Sequence, residues 1–248
     1  LRLAKKAHAL GIPIIYYISP QVWAWKKKRI HTLARYVSLM LVIFPFEEAI
    51  YARVGLPCKY VGHPLIEAIA EREALPAAPD DALRIGILPG SRAQEIERLL
   101  PPMIETAREL QARHPGVRFQ TPVINEQRAA LVRALAGDFP LEILVDGMHE
   151  VLGRARFCLV ASGTATLETA LYGVPFVILY RVTPITYWIA RCVIDIENIG
   201  IVNILSGRRI VPEFIQHEAS ASQILPVART LIEDTPARLQ MLEDLRAV

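Results

Sequence analysis

Short β-branched runs alternate with amphipathic helical stretches along almost the whole chain, and this alternation restricts the fold more than any other feature. Parallel strands need a crossover between them, so the pattern implies βα units around parallel sheets rather than a sandwich or a bundle. GIPIIYYIS reads as a first, buried strand, VSLMLVIF (37–44) as a second and CKYVGHP (58–64) as a third. Between the last two, FEEAIYARVG reads as a helix closed by Gly55. Residues 71–83, EREALPAAPDDAL, carry two prolines and mixed charge without apolar periodicity, which marks a linker.

A second series follows. RIGILPGSR is a strand running into a glycine turn, and AQEIERLLPPMIETARELQARH a long helix with an expected interruption near Pro101 and Pro102. VRFQTPVI, LEILVDG, FCLVASG and VPFVILYR are strands; HEVLGRA and TATLETALYG are helices; the chain is helical from 219 onward. The expected fold class is therefore α/β, with two halves joined near residue 80. Residues 1–75 form the first, 76–83 the linker, 84–215 the second, and 216–248 are helices returning toward the first half.

With 248 residues, 52% of them apolar, the chain is long enough for two separate cores. It opens on Leu1 inside a helix-like stretch, so the first half is expected to be incomplete at its N-terminal side. Cys58, Cys158 and Cys192 show no CxxC or Cys/His spacing, which points to a reducing compartment and to no zinc site. The apolar runs SLMLVIFPF and VPFVILY fall short of the roughly 20 residues of a membrane-spanning helix. A net charge of +3 argues by itself for neither nucleic acid nor membrane.

Ligands of open parallel sheets sit beyond the carboxyl ends of the strands. Two such ends carry suitable chemistry. In LPGSRAQEI (88–96), Gly90 and Ser91 expose backbone N–H groups at a helix start, and Arg92 adds a cationic fork for phosphate oxygens. The plain alternative is a βα turn with a surface arginine. In ASGTATLE (161–168), Ser162, Gly163 and Thr164 open a helix, and Glu168 follows a turn later, where a carboxylate could accept both hydroxyls of a ribose. The plain alternative there is an N-cap with the glutamate completing a capping box. Two such turns at one pole favour a nucleotide diphosphate.

SPQVWAWKKKRI (19–30), FPFEEAIY (44–51), CKYVGHPL (58–65), LPGSRAQEI, LVASGTATLE (159–168), YRVTPITYWIA (180–190) and VNILSGRRIVPEFIQ (202–216) occur in this order. As a set they resemble the lipid-A-disaccharide synthases, glycosyltransferases of the GT-B fold, with two Rossmann-like domains facing across a cleft. The resemblance implies transfer of 2,3-diacylglucosamine from its UDP derivative to 2,3-diacylglucosamine 1-phosphate, with inversion, giving a β-1,6 disaccharide and UDP. It implies no cofactor and no metal, no nucleic acid, a possible homodimer, and a cytoplasmic protein peripheral on the inner face of the inner membrane.

By position, the resemblance puts Arg92 on the diphosphate and Glu168 on the ribose, so that with Gly90, Ser91, Ser162, Gly163 and Thr164 of the two turns they make up the expected UDP site. Asn203, expected in a loop between the apolar IGIV and the SGRRI turn and facing the cleft, corresponds to an asparagine needed for activity; Val202 precedes it where many members have proline. The family's proposed general base is an aspartate upstream of this stretch, so these 248 residues are expected to bind UDP poorly or moderately and to catalyse nothing alone. Arg181, Gln216 and His63 are candidates for the cleft or the acceptor, although a lone histidine is more often a hydrogen-bonded structural one. Trp23 and Trp25 beside four cations in VWAWKKKR suit a headgroup zone or, alternatively, a buried core. A UDP-sugar 2-epimerase of the same fold, or a non-catalytic nucleotide-binding domain, is the competing expectation; SGTATLE lacks the consecutive glycines and paired glutamates expected of the epimerase.

Overall fold

In a computed structural model of the chain, the described residues are 2–22, 28–73, 75, 80–183 and 198–248. They divide into two compact units, the first running to Arg72 and the second starting at Glu73. Trp23, Trp25 and residues 184–190 of the YRVTPITYWIA motif lie outside the described residues.

The first unit holds strands β1 (Ile15–Tyr17), β2 (Leu39–Val42) and β3 (Cys58–Tyr60). They pair in parallel in the order β1-β2-β3. Helices α1 (Arg2–Ala9), α2 (Arg29–Tyr36), α3 (Phe46–Ala52) and α4 (Pro64–Ala70) accompany them. Leu33 of α2, Met40 and Val42 of β2 and Tyr51 of α3 fill a small core with Leu56. Gly55 takes a left-handed φ of +69° just beyond α3, which suits the expected helix stop. The first strand departs from expectation. It is an edge strand in which Ile15 is 65% and Tyr17 51% exposed, because only Ile14 and Tyr16 turn toward that core.

The second unit begins with β4 (Arg84–Leu88) and α5 (Ala93–Arg113), then β5 (Arg118–Val123), α6 (Glu126–Ala136), β6 (Leu141–Val145) and α7 (Met148–Arg154). After these come β7 (Phe157–Ala161), α8 (Thr164–Leu171), β8 (Phe176–Tyr180), α9 (Ile201–Ser206) and β9 (Glu213–Ile215). A 3-10 turn (Gln216–Glu218), α10 (Ala221–Ile232) and α11 (Pro236–Arg246) complete it. Its six strands are parallel and ordered β6-β5-β4-β7-β8-β9. From β4 the chain winds outward one way through β5 and β6, and from β7 the other way through β8 and β9. The strand order therefore reverses between β4 and β7, where such sheets open a crevice for ligand. Both strands are buried at every residue, as central strands covered on two faces must be.

Two expectations change here. The helix over Pro101 and Pro102 is continuous from Ala93 to Arg113. It buries Ile96, Leu99, Leu100, Met103, Ala107 and Leu110 along one face, and that burial outweighs two missing backbone donors. Asn203 lies inside the short helix α9, buried, where the sequence suggests an open loop. The C-terminal helices contact the second unit: α10 packs on α5, β7 and β8, and α11 on α8 and α10. Among the described residues no helix is long and apolar enough to cross a membrane.

Candidate functional site

The carboxyl ends of β4 and β7 carry the two turns singled out from sequence, and one cavity of about 310 Å³ joins them. Gly90, Ser91, Arg92, Ser162, Gly163, Thr164 and Glu168 all line it. The switch in strand order explains the convergence: strands far apart in sequence are neighbours in the sheet, so their turns face one another.

The first turn is built around Gly90, whose φ of +105° is a region L side chains rarely adopt. A Cβ there would also stand 2.6 Å from Oε2 of Glu95. That carboxylate folds back over the turn. Arg92 is the N-cap of α5; its backbone N–H donates to Oε2 of Glu95 at 3.3 Å, and its Nη1 donates to Oε1 at 2.6 Å. Arg92 is otherwise open to solvent, with 80% of its side chain exposed. Sequence reasoning missed Arg128, which also lines the cavity. It reaches across from α6 and donates through Nε to the Ser91 carbonyl at 3.0 Å, which fixes the turn and brings a second guanidinium to the same space.

The second turn lacks the side-chain cap that sequence alone allows. Gly163 is the N-cap of α8, no side-chain cap bond is made, and Glu168 forms no capping box. Thr166 donates instead to the Gly163 carbonyl at 2.7 Å. A Cβ on Gly163 would meet nothing within 4 Å, so an anion can approach this backbone closely. Uncapped first-turn N–H groups carry the positive end of the helix dipole and suit phosphate oxygens. Pro122, Ile124 and Met148 add apolar side chains to the lining of the cavity.

The other expected residues lie elsewhere. Asn203 is fully buried and does not line the cavity. Its Nδ2 donates to the Val211 carbonyl and to Oε1 of Glu213, each at 2.8 Å, and its Oδ1 accepts from the N–H groups of Ile210 and Val211, each at 2.9 Å. All four hydrogen-bonding positions of the amide are occupied within the fold. Arg181 and Gln216 come together at the end of β8. Arg181 Nε donates to the Gln216 carbonyl at 3.0 Å, while the Gln216 amide clamps Val182, accepting from its N–H at 2.9 Å and donating to its carbonyl at 3.1 Å. Gln216 holds a left-handed φ of +56° to do so.

His63 belongs to the first unit and has the structural role. It is the N-cap of α4, with Nδ1 accepting from the Leu65 N–H at 3.2 Å, and burial holds its pKa below the ordinary histidine value. Among the described residues no group of three or more histidine, cysteine or acidic side chains could hold a metal. Burial pushes the Cys158 thiol up to about 12, which makes it an inert core residue.

A family model for lipid-A-disaccharide synthetase matches residues 1–245. The lipid-A-disaccharide synthase of Myxococcus xanthus is 41% identical over 254 residues, covering 99% of this chain and 66% of that protein. That of Anaeromyxobacter dehalogenans (strain 2CP-1) is 43% identical over 257 residues, covering 100% and 67%. The chain thus spans about two thirds of the length of the curated relatives it matches. Among solved structures, a UDP-GlcNAc 2-epimerase from Neisseria meningitidis bound to UDP-GlcNAc superposes with a TM-score of 0.62, covering 98% of this chain and 66% of its own. At 14% identity that likeness concerns the fold, which is GT-B, and not the reaction.

Proposed function

The chain belongs to the lipid-A-disaccharide synthase family, and on that premise we propose that its second unit is the donor site of a glycosyltransferase that takes a UDP-sugar. One observation carries the reading: the turn after β4, the turn after β7 and Glu168 line a single cavity at the switch point of the sheet. In this assignment the diphosphate lies between the Gly90–Arg92 turn and the amino end of α8. The ribose hydroxyls face Glu168, and the base lies toward Pro122, Ile124 and Met148.

The reaction proposed for the whole protein is a single displacement. The 6-hydroxyl of 2,3-diacylglucosamine 1-phosphate attacks the anomeric carbon of UDP-2,3-diacylglucosamine. The bond from that carbon to the diphosphate oxygen breaks, UDP leaves, and a general base takes the hydroxyl proton. Inversion at the anomeric carbon gives the β-1,6 linkage. Charge accumulates on the departing diphosphate, so the cations and helix-start N–H groups around it stabilise the transition state more than the ground state. Both proposed substrates carry acyl chains, which places the work at a membrane surface.

Calorimetry with UDP tests the site. Arg92→Ala is expected to weaken binding about tenfold or more, as removal of a charge-assisted phosphate contact should. Unchanged affinity with a native circular dichroism spectrum would overturn the assignment. Turnover of the full-length protein with the two acylated substrates tests the reaction.

A further inference from the structure

A second cavity, of about 660 Å³, adjoins the first and lies wholly within the second unit. Arg92, Glu95, Ala161 and Ser162 border both, so a group in the second would sit just beyond the diphosphate-binding turns. Its lining carries three arginines, Arg92, Arg98 and Arg181, against one carboxylate, Glu95. Arg92 and Glu95 pair at 2.6 Å and largely cancel, which leaves a surplus of two positive charges from Arg98 and Arg181. Arg98 stands on α5 two turns from Arg92, half-buried, with no hydrogen bond or ion pair to its guanidinium among the described residues. Arg181 also lines the cavity, and among the described residues its guanidinium makes one hydrogen bond, from Nε to the Gln216 carbonyl. Tyr180 adds a phenol whose pKa is raised by burial and by the charge of Glu95.

Two half-buried arginines, one with no partner and one with a single backbone acceptor among the described residues, call for an anion, and a phosphate monoester brings close to two negative charges at neutral pH. The volume is right for a sugar phosphate. Resting on the function proposed above, the assignment can be narrowed to one of the two substrates. The charges of the donor all lie in its diphosphate, which the first cavity takes, and its sugar is neutral. The acceptor alone carries a further phosphate. We propose that the second cavity binds the 1-phosphate of the acceptor through Arg98 and Arg181, and so orients the acceptor beside the donor.

N-Acetylglucosamine 1-phosphate, a soluble phosphate of the same class, serves as probe in calorimetry on UDP-saturated protein. Binding is expected together with UDP, with N-acetylglucosamine lacking the phosphate bound at least about tenfold more weakly. Arg98→Gln should weaken the sugar phosphate by about tenfold or more and leave UDP affinity within about twofold, and Arg98→Lys should restore part of the loss. The proposal is overturned if UDP displaces the probe, if the phosphate makes no difference, or if Arg98→Gln binds it normally. Failure of UDP itself to bind would sink the donor-site reading instead. The probe would then be titrated without UDP, where the same loss in Arg98→Gln supports the phosphate site and its absence overturns it.

Discussion

Asn203 donates through Nδ2 to Oε1 of Glu213 at 2.8 Å, and the same carboxylate accepts from the backbone N–H groups of Ile199 and Gly200 at 2.9 Å. Glu213, itself 7% exposed, thereby holds the start of α9, while Asn203 holds the strand entry at Ile210 and Val211. A buried carboxylate is tolerable only when such donors surround it. Asn203→Ala removes one donor and strands two backbone N–H groups, a loss of roughly 2–4 kcal/mol. The expected result is a melting temperature lower by about 5 °C or more, with UDP affinity unchanged in the molecules that stay folded. Glu213→Gln should destabilise in the same direction, because an amide nitrogen would face N–H donors. A variant with native stability but lost turnover would return Asn203 to direct contact with substrate.

Glu168→Gln tests the ribose contact. UDP should weaken by about tenfold, whereas 2′,3′-dideoxy-UDP, which lacks the proposed partners, should weaken far less. Equal losses for the two ligands would reduce Glu168 to a determinant of the local fold.

Which parts of this site are legible in sequence follows from the range of the interactions. The turns at Gly90–Arg92 and Ser162–Thr164 are local strand-to-helix chemistry, and the parallel topology that brings them together follows from the βα alternation. Arg128 leaves no such signal, because it reaches the first turn from the next βα unit, 37 residues along. Asn203 reads like a loop residue beside Gly207, yet its burial depends on Val211 and Glu213, which come close only when β9 joins the sheet. The two prolines of α5 suggest a break for a similar reason: local preference yields when one helix face buries nine residues.

His63 gives a pH dependence whose sign is fixed by its role as a cap. Only the neutral ring can accept from the Leu65 N–H, and burial lowers its pKa from 6.5. A group with a depressed folded pKa contributes stability that is present above its unfolded value and lost as pH falls through the folded one. The His63 ring resonance should therefore titrate below 6.5, and Leu65 amide protection should fall as pH drops from above 6.5 through the folded pKa. His63→Asn, which caps without titrating, should flatten that dependence. A measured pKa at or above 6.5 would contradict the assignment.

Glu95 gives the sharpest test of how the diphosphate is held. Its carboxylate pairs with the Arg92 guanidinium at 2.6 Å and borders both cavities, where it repels any phosphate that enters. UDP must compete with it for the same cation. Glu95→Gln keeps an oxygen to accept from the Arg92 backbone N–H and removes the charge. UDP should then bind roughly three- to tenfold more tightly, since close unlike and like charges at a half-exposed site are worth about a kcal/mol. The opposite view is that Glu95 orients Arg92 toward the phosphate, and it predicts a loss comparable to that of Arg92→Ala. A double-mutant cycle separates the two. If the carboxylate competes, the gain from Glu95→Gln shrinks in the Arg92→Ala background to what removing its direct repulsion of phosphate provides. If the carboxylate orients, the loss caused by Glu95→Gln disappears once Arg92 is gone.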